Sequence, residues 1–174
     1  MDQPQASHLV KKAFDCWQAG RLAEAVPLYQ KALALADPKH YRLPDWHGEF
    51  AGVLSDLGRF SEAEEHYKAA LAVELAHAED DFSSAVVIAR YFLAQHYLDR
   101  NEPELALLTI EDWFKDGMPA EWLLRLVRAC ALHDLSRIEE ARLEAERALA
   151  AAPSETKREE LSRLFAEKLG EIDG

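Results

Sequence analysis

Apolar residues recur at steps of three and four along nearly the whole chain, and glycine, proline or a polar turn residue interrupts them at intervals. That pattern predicts helices and no strands. A first helix is expected over 7–18, where Leu9, Val10, Ala13, Phe14 and Trp17 share a face and Gly20 ends it. Leu22–Ala36 is its partner, with Pro27 inside as an expected kink. The stretch 37–44 holds two prolines and several charges and reads as a connector. A helix over roughly 45–57 follows, with Asp45 as its cap. Gly58 breaks that helix. Ser61-Glu62-Ala63-Glu64 then has the form of a capping box, opening a helix that runs to about His77. Further helices are expected over 83–99, Leu105–Phe114, 120–134 and 138–151. A last one, Ser154–Ile172, carries its apolar side on Leu161, Leu164, Phe165, Leu169 and Ile172.

The helices come in similar pairs. Gly20, Gly58, Asn101 and Ser136 stand at the inter-helix turns, spaced 38, 43 and 35 residues apart. Five residues after each stands Ala25, Ala63, Ala106 or Ala141. Seven residues before each stands Ala13, Ala51, Ala94 or Ala129. A methyl group at a fixed place lets two helices cross closely where a larger side chain would hold them apart. Twelve residues after the turns stand Ala32, Ala70, Trp113 and Ala148, so the third pair breaks the rule.

This ladder of Gly, Ala, Tyr and Ala, seen in Gly20–Ala32 and again in Gly58–Ala70, resembles the tetratricopeptide repeat, a helix-turn-helix unit of about 34 residues. The resemblance implies an all-α fold, a right-handed superhelix of antiparallel helix pairs (an α-solenoid). It divides a single domain over 1–174 into repeats at about 6–38, 44–78, 83–118 and 120–153, with a capping helix over 154–172.

Composition narrows the class. The chain has 174 residues, 49% hydrophobic and 30% charged, which suits one globular domain with a sizeable core. The 32 acidic residues outnumber the 20 basic ones, for a net charge of −12, and such a surface repels nucleic acid. No run of about 18 apolar residues appears, so no membrane span is expected. The N-terminus has no apolar core of a signal peptide, and the two cysteines, Cys16 and Cys130, lack ligand or disulfide spacing. The expectation is a cytoplasmic protein without metal or cofactor.

The resemblance also implies a task. In this family the first helix of each unit lines a concave groove that holds a segment of another protein. The positions carried over are Val10, Phe14 and Trp17 in the first unit, and Glu49, Gly52 and Asp56 in the second. The third gives Tyr91, Phe92, Gln95 and Asp99, and the fourth Leu126, Cys130 and Asp134. Two aromatic walls, Phe14/Trp17 and Tyr91/Phe92, would flank a glycine floor, and three carboxylates would stand at one edge. Such a groove suits a hydrophobic anchor with basic flanks. Lys11 is the one basic residue at the positions where some relatives clamp a carboxylate tail.

The expected function is a non-catalytic adaptor, chaperone or regulator, with homo-oligomerisation left open. An immunity or inhibitor protein masking a toxin is the alternative. A metal protein or enzyme is a third reading, for which His133-Asp134 and His96/Asp99 are the candidate groups. No nucleophile stands beside a base at a motif spacing, and no phosphate loop is present.

Overall fold

A computed structural model describes residues 1–170. Among these residues the chain forms nine α-helices, one 3-10 turn and no strand. Contacts divide it into two compact units, Met1–His77 and Ala78–Gly174. None of the described helices is long and apolar enough to cross a membrane.

The first unit holds α1 (Gln3–Gln18), α2 (Leu22–Leu35), α3 (Leu43–Asp56) and α4 (Phe60–His77). α1 pairs with α2, α3 pairs with α4, and α2 packs on α3. α1 starts four residues before the expected position because Asp2 caps it, its carboxylate accepting the Gln5 N–H at 3.1 Å. α2 runs through Pro27. α3 begins at Leu43, with Pro44 in its first turn, where a missing N–H costs nothing. Asp45 therefore sits inside the helix rather than at its cap. The expected capping box does not cap either. α4 already starts at Phe60, and the Ala63 N–H donates to the Arg59 carbonyl at 3.0 Å.

The second unit holds α5 (Ser84–Asp99), α6 (Pro103–Ile110), a 3-10 turn (Glu111–Trp113), α7 (Glu121–Asp134), α8 (Ile138–Ala150) and α9 (Glu155–Leu169). α6 stops short of the expected Phe114. Its Trp113 holds the position that alanine fills at Ala32, Ala70 and Ala148, which are buried. An indole does not fit a close helix crossing. The chain loosens into the 3-10 turn instead, and Trp113 lies under the Arg90 guanidinium, 4.2 Å from its ring centre. Ser154 caps α9 by accepting the Lys157 N–H at 3.2 Å. Leu161 and Phe165 are buried in this unit, where α9 packs on α8 and touches α7. The expected apolar position Ile172 lies outside the described residues.

One backbone device closes four of the helix pairs' first helices. Gly20, Gly58, Asn101 and Ser136 have φ of 73°, 72°, 60° and 60°, the left-handed conformation. The residue after each donates its N–H five residues back: Arg21 to Cys16, Arg59 to Leu54, Glu102 to Tyr97 and Arg137 to Leu132, all at 2.8–2.9 Å. This satisfies carbonyls that the helix end would otherwise leave open. The next helix then starts with the same ion pair in three cases, Arg21–Glu24, Arg59–Glu62 and Arg137–Glu140.

The eight alanines flanking these turns are all buried, none more than 1% exposed. Their methyl groups leave room for the paired helices to cross closely.

The link between α6 and α7 is held by one buried cation. Arg125 is 4% exposed and donates Nη1 to Glu144 at 2.9 Å. It also pairs with Glu121 and Asp116, and its guanidinium lies 4.5 Å from the centre of the Phe114 ring. The Gly117 N–H donates to Glu121 as well. The irregular segment is thereby tied to α7 and α8 by bonds to charged groups, which are stronger than neutral ones.

Candidate protein-binding site

In the first unit, α1, α3 and the connector between α2 and α3 enclose a recess of about 450 Å³. Val10 and Phe14 of α1 and Glu49 of α3 line it, as do Lys11, Tyr41 and Trp46. Four aromatic rings, Phe14, His40, Tyr41 and Trp46, form part of its wall. His40 lies against Tyr41 on one side and Trp46 on the other, with ring centres 4.9 and 5.0 Å apart. Tyr41 and Phe14 are exposed, whereas Trp46 and Val10 are buried and form the deeper wall.

The charges of the recess are unevenly bound. Lys11 is exposed, and Arg42 reaches Asp45 through Nε at 3.4 Å. Glu49 is half-buried and accepts the Tyr29 hydroxyl at 3.0 Å. Burial pushes the Glu49 carboxyl above the usual carboxylate range, although the hydrogen bond from Tyr29 opposes this. Burial, with the neighbouring Glu49 charge, raises the Tyr29 phenol in turn.

Beside the recess, three expected groove residues form a closed contact of their own. The Trp17 indole lies over Gly52, and its Nε1–H donates to Asp56 at 2.7 Å. Phe14 meets Trp17 edge-on, with ring centres 5.9 Å apart. The expected glycine floor at Gly52 is thus covered by the protein's own tryptophan, while Gly48 has nothing within 4 Å of where a Cβ would stand.

In the second unit, Tyr91 and Phe92 meet edge to face, 5.3 Å apart, and Phe92 is 49% exposed. Gln95 donates to Asp99 at 2.8 Å. Leu126 and Cys130 are core residues, buried by packing against neighbouring side chains rather than lining an open face. Asp134 lies 3.6 Å from Lys168 of α9 and 3.6 Å from His133.

The three carboxylates expected to steer a basic partner, Asp56, Asp99 and Asp134, are each engaged within the chain. Neutral donors hold Asp56 and Asp99 and cancel no charge, whereas Asp134 has the Lys168 cation beside it. The residues missed in the sequence were His40, Tyr41, Arg42 and Trp46. Their signal was present: aromatic residues stand in and beside a connector that lengthens the first repeat. Reading 37–44 only as a spacer hid them.

Burial raises the Cys130 thiol to about 11, which keeps it protonated and a poor nucleophile. Among the described residues no three His, Cys, Asp or Glu side chains converge as metal ligands do.

No curated protein sequence matches the chain. Solved structures do. The nearly identical TPR-like repeats from Podosopora anserina share 18% identity, over 95% of this chain and 88% of that one, with a TM-score of 0.69. BtubC (BKLC) from P. vanneervenii shares 20% identity over 98% of this chain and 81% of its own, with a TM-score of 0.66. YrrB, described as a TPR protein with an unusual peptide-binding site, shares 16% identity over 93% of this chain and 77% of its own, with a TM-score of 0.57. These likenesses concern the fold. Models of the tetratricopeptide repeat match the sequence itself over residues 4–74 and over residues 50–117 and 93–156. With the four matching turns and their eight buried alanines, these matches show that the chain belongs to the tetratricopeptide repeat family.

Proposed function

We propose that the chain is a non-catalytic protein-interaction module that holds an apolar side chain of a partner segment in the recess of its first unit. The observation that carries this reading is the recess itself, about 450 Å³ and walled by Phe14, Tyr41 and Trp46. Aromatic walls supply large contact area at little entropic cost, and hot spots concentrate in such pockets. The exposed Lys11 at this site favours an acidic rather than a basic residue beside the anchor. The exposed Phe92 and Ile88, one turn apart on α5, offer a second apolar contact on the other unit. An adaptor, chaperone or regulator would use such contacts. The peptide-binding site named for YrrB supports the general reading. The two buried, unpaired thiols, Cys16 and Cys130, support a cytoplasmic setting.

The test is selection of a displayed peptide library against the full chain. The recovered segments should share an apolar side chain next to an acidic one. Phe14→Ala should weaken their binding by about 1–4 kcal/mol, as loss of an aromatic anchor does. Lys11→Glu should weaken it further at low salt. Peptides indifferent to both changes would place binding elsewhere and overturn the reading.

A further inference from the structure

We propose that His47 and His66 form a proton-operated clasp between α3 and α4 that keeps the first unit's recess in shape at neutral pH and releases it on acidification. The statement about the recess rests on the function proposed above; the clasp stands without it.

The two Nδ1 atoms are 2.9 Å apart, and the ring centres are 5.1 Å apart with 31° between the planes. The nitrogens therefore lie between the rings and face each other. One must donate a proton and the other accept it, so in the neutral pair the two imidazoles are opposite tautomers. A first added proton goes to Nε2 of the donor ring, and the N–H···N bond survives. A second must go to the accepting Nδ1. That sets two N–H groups head to head and two positive charges side by side, and the contact cannot persist.

The surroundings set the order of events. Burial holds His47 down to about 4, and the His66 charge adds to this. Burial also lowers His66, while Glu65 and Glu62 from its own helix draw a proton toward it. Glu62 is itself held by Arg59, at 2.6 and 2.7 Å. Within the first unit, α3 adds Glu49 and Asp45 to this region, and α2 adds Tyr29, whose hydroxyl is committed to Glu49. His66 therefore takes the first proton and His47 the second.

The sign of the effect follows. The unfolded chain binds these protons near the ordinary histidine value of about 6.5, and the folded chain resists them. The stability that the neutral pair contributes is complete above that value. It is lost as pH falls from about 6.5 toward about 4, the value to which His47 is held.

Contacts lead from the clasp to the recess. The His66 ring lies 4.5 Å from Phe50, Phe50 stacks on Tyr29 at 5.5 Å, and the Tyr29 hydroxyl bonds Glu49 in the recess wall. Phe50 and Tyr29 are 2% and 0% exposed, so neither moves without its neighbours. A close-packed chain of this kind passes on a displacement of α4.

The experiment uses the full chain. Nitrogen-detected NMR follows both imidazoles through a pH titration. Amide hydrogen exchange, corrected for intrinsic rates, is compared at pH 7 and pH 5 in the parent and in His47→Gln, which hydrogen-bonds but does not titrate. His47 should titrate well below the ordinary value, and amides of α3 and α4 should lose about tenfold or more of their protection in the parent only. Ordinary titration of both rings, or an equal loss in the variant, overturns the clasp. If His47→Gln does not fold, the parent's titration alone decides. A peptide selected at pH 7 for the recess is then measured at pH 7 and at pH 4, where about half of His47 carries the second proton. Its affinity should fall about twofold or more at pH 4 for the parent and little for His47→Gln. Unchanged affinity in a parent whose clasp titrates as stated overturns the link to the recess. Failure to select any recess binder overturns the proposed function and leaves the titration to judge the clasp.

Discussion

Trp17 donates its indole N–H to Asp56 at 2.7 Å by lying directly over the bare backbone of Gly52. A Cβ on Gly52 would stand 2.8 Å from the indole Cη2. Only glycine leaves room for the ring and so allows the hydrogen bond. This ties α1 to α3 across the first two repeats. Gly52→Ala should push Trp17 outward, shift tryptophan fluorescence to the red, and cost about 1–3 kcal/mol in urea unfolding, as overpacking does. An unchanged spectrum and midpoint would show that the indole yields without loss.

The left-handed turns differ in how well their residues suit them. Gly20 and Gly58 accept that conformation freely, whereas Ser136 sits at φ 60° with a Cβ that crowds the following carbonyl. Ser136→Gly should stabilise the second unit by about 0.5–1 kcal/mol, the strain relieved less the entropy glycine loses on folding. Thermal and urea unfolding both read this. A destabilised variant would mean that the serine side chain contributes more than its strain.

Arg125 balances two acids in the interior. Glu121 and Glu144 are 9% and 4% exposed, and both bond to its guanidinium. Arg125→Met leaves Glu121 buried without a cation and Glu144 with only the half-exposed Arg147, and should cost about 3–5 kcal/mol. The triple variant that also converts both acids to Leu should recover much of that. Recovery is the informative result, because it separates an unpaired charge from lost packing.

α9 covers the second unit's last pair. Phe165 is fully buried there. Phe165→Ala should cost about 3–5 kcal/mol, and removal of the chain from Ser154 onward should expose an apolar face and promote association. A truncated chain that stays monomeric and melts unchanged would deny α9 this role.

Ala63 tests the repeat register. It has no exposed surface and lies on α4, which packs on α3. Ala63→Leu should cost about 1–3 kcal/mol, read as a lower urea midpoint at unchanged slope.

Much of the fold was legible because it rests on local rules. A glycine or asparagine after a run of helical spacing marks a left-handed cap, and the four turns fell at Gly20, Gly58, Asn101 and Ser136. The alanines at fixed distances from them marked the helix crossings. Helix starts were read less well. Asp45 and Ser61 have capping side chains, yet both lie inside helices that begin earlier. Packing of Leu43 and Trp46 holds the first turn of α3 in place, and a packed apolar face outweighs one cap bond.

The site was legible only in part. Phe14, Trp17 and Glu49 were named correctly as first-helix residues, but what each faces depends on chain folded far away. Trp17 turned onto Gly52 and Asp56, 35 and 39 residues on, instead of standing open. His47 and His66 sit 19 residues apart on different helices, and no spacing rule joins them.

The sequence by itself determined the helices, their pairing and the family, since each follows from periodicity, turn residues and small side chains at short range. Tertiary structure alone decided which side chains remained available. Asp56, Asp99 and Asp134 look alike along the chain, as exposed acids at one helix edge. In the folded molecule Asp99 meets Gln95 one turn back on its own helix, whereas Asp56 meets Trp17 and Asp134 meets Lys168 from other helices. The physical reason is reach: a hydrogen bond or ion pair acts over about 3–4 Å, and beyond one helical turn the groups that come within it are fixed by how whole helices pack, not by their order in the chain.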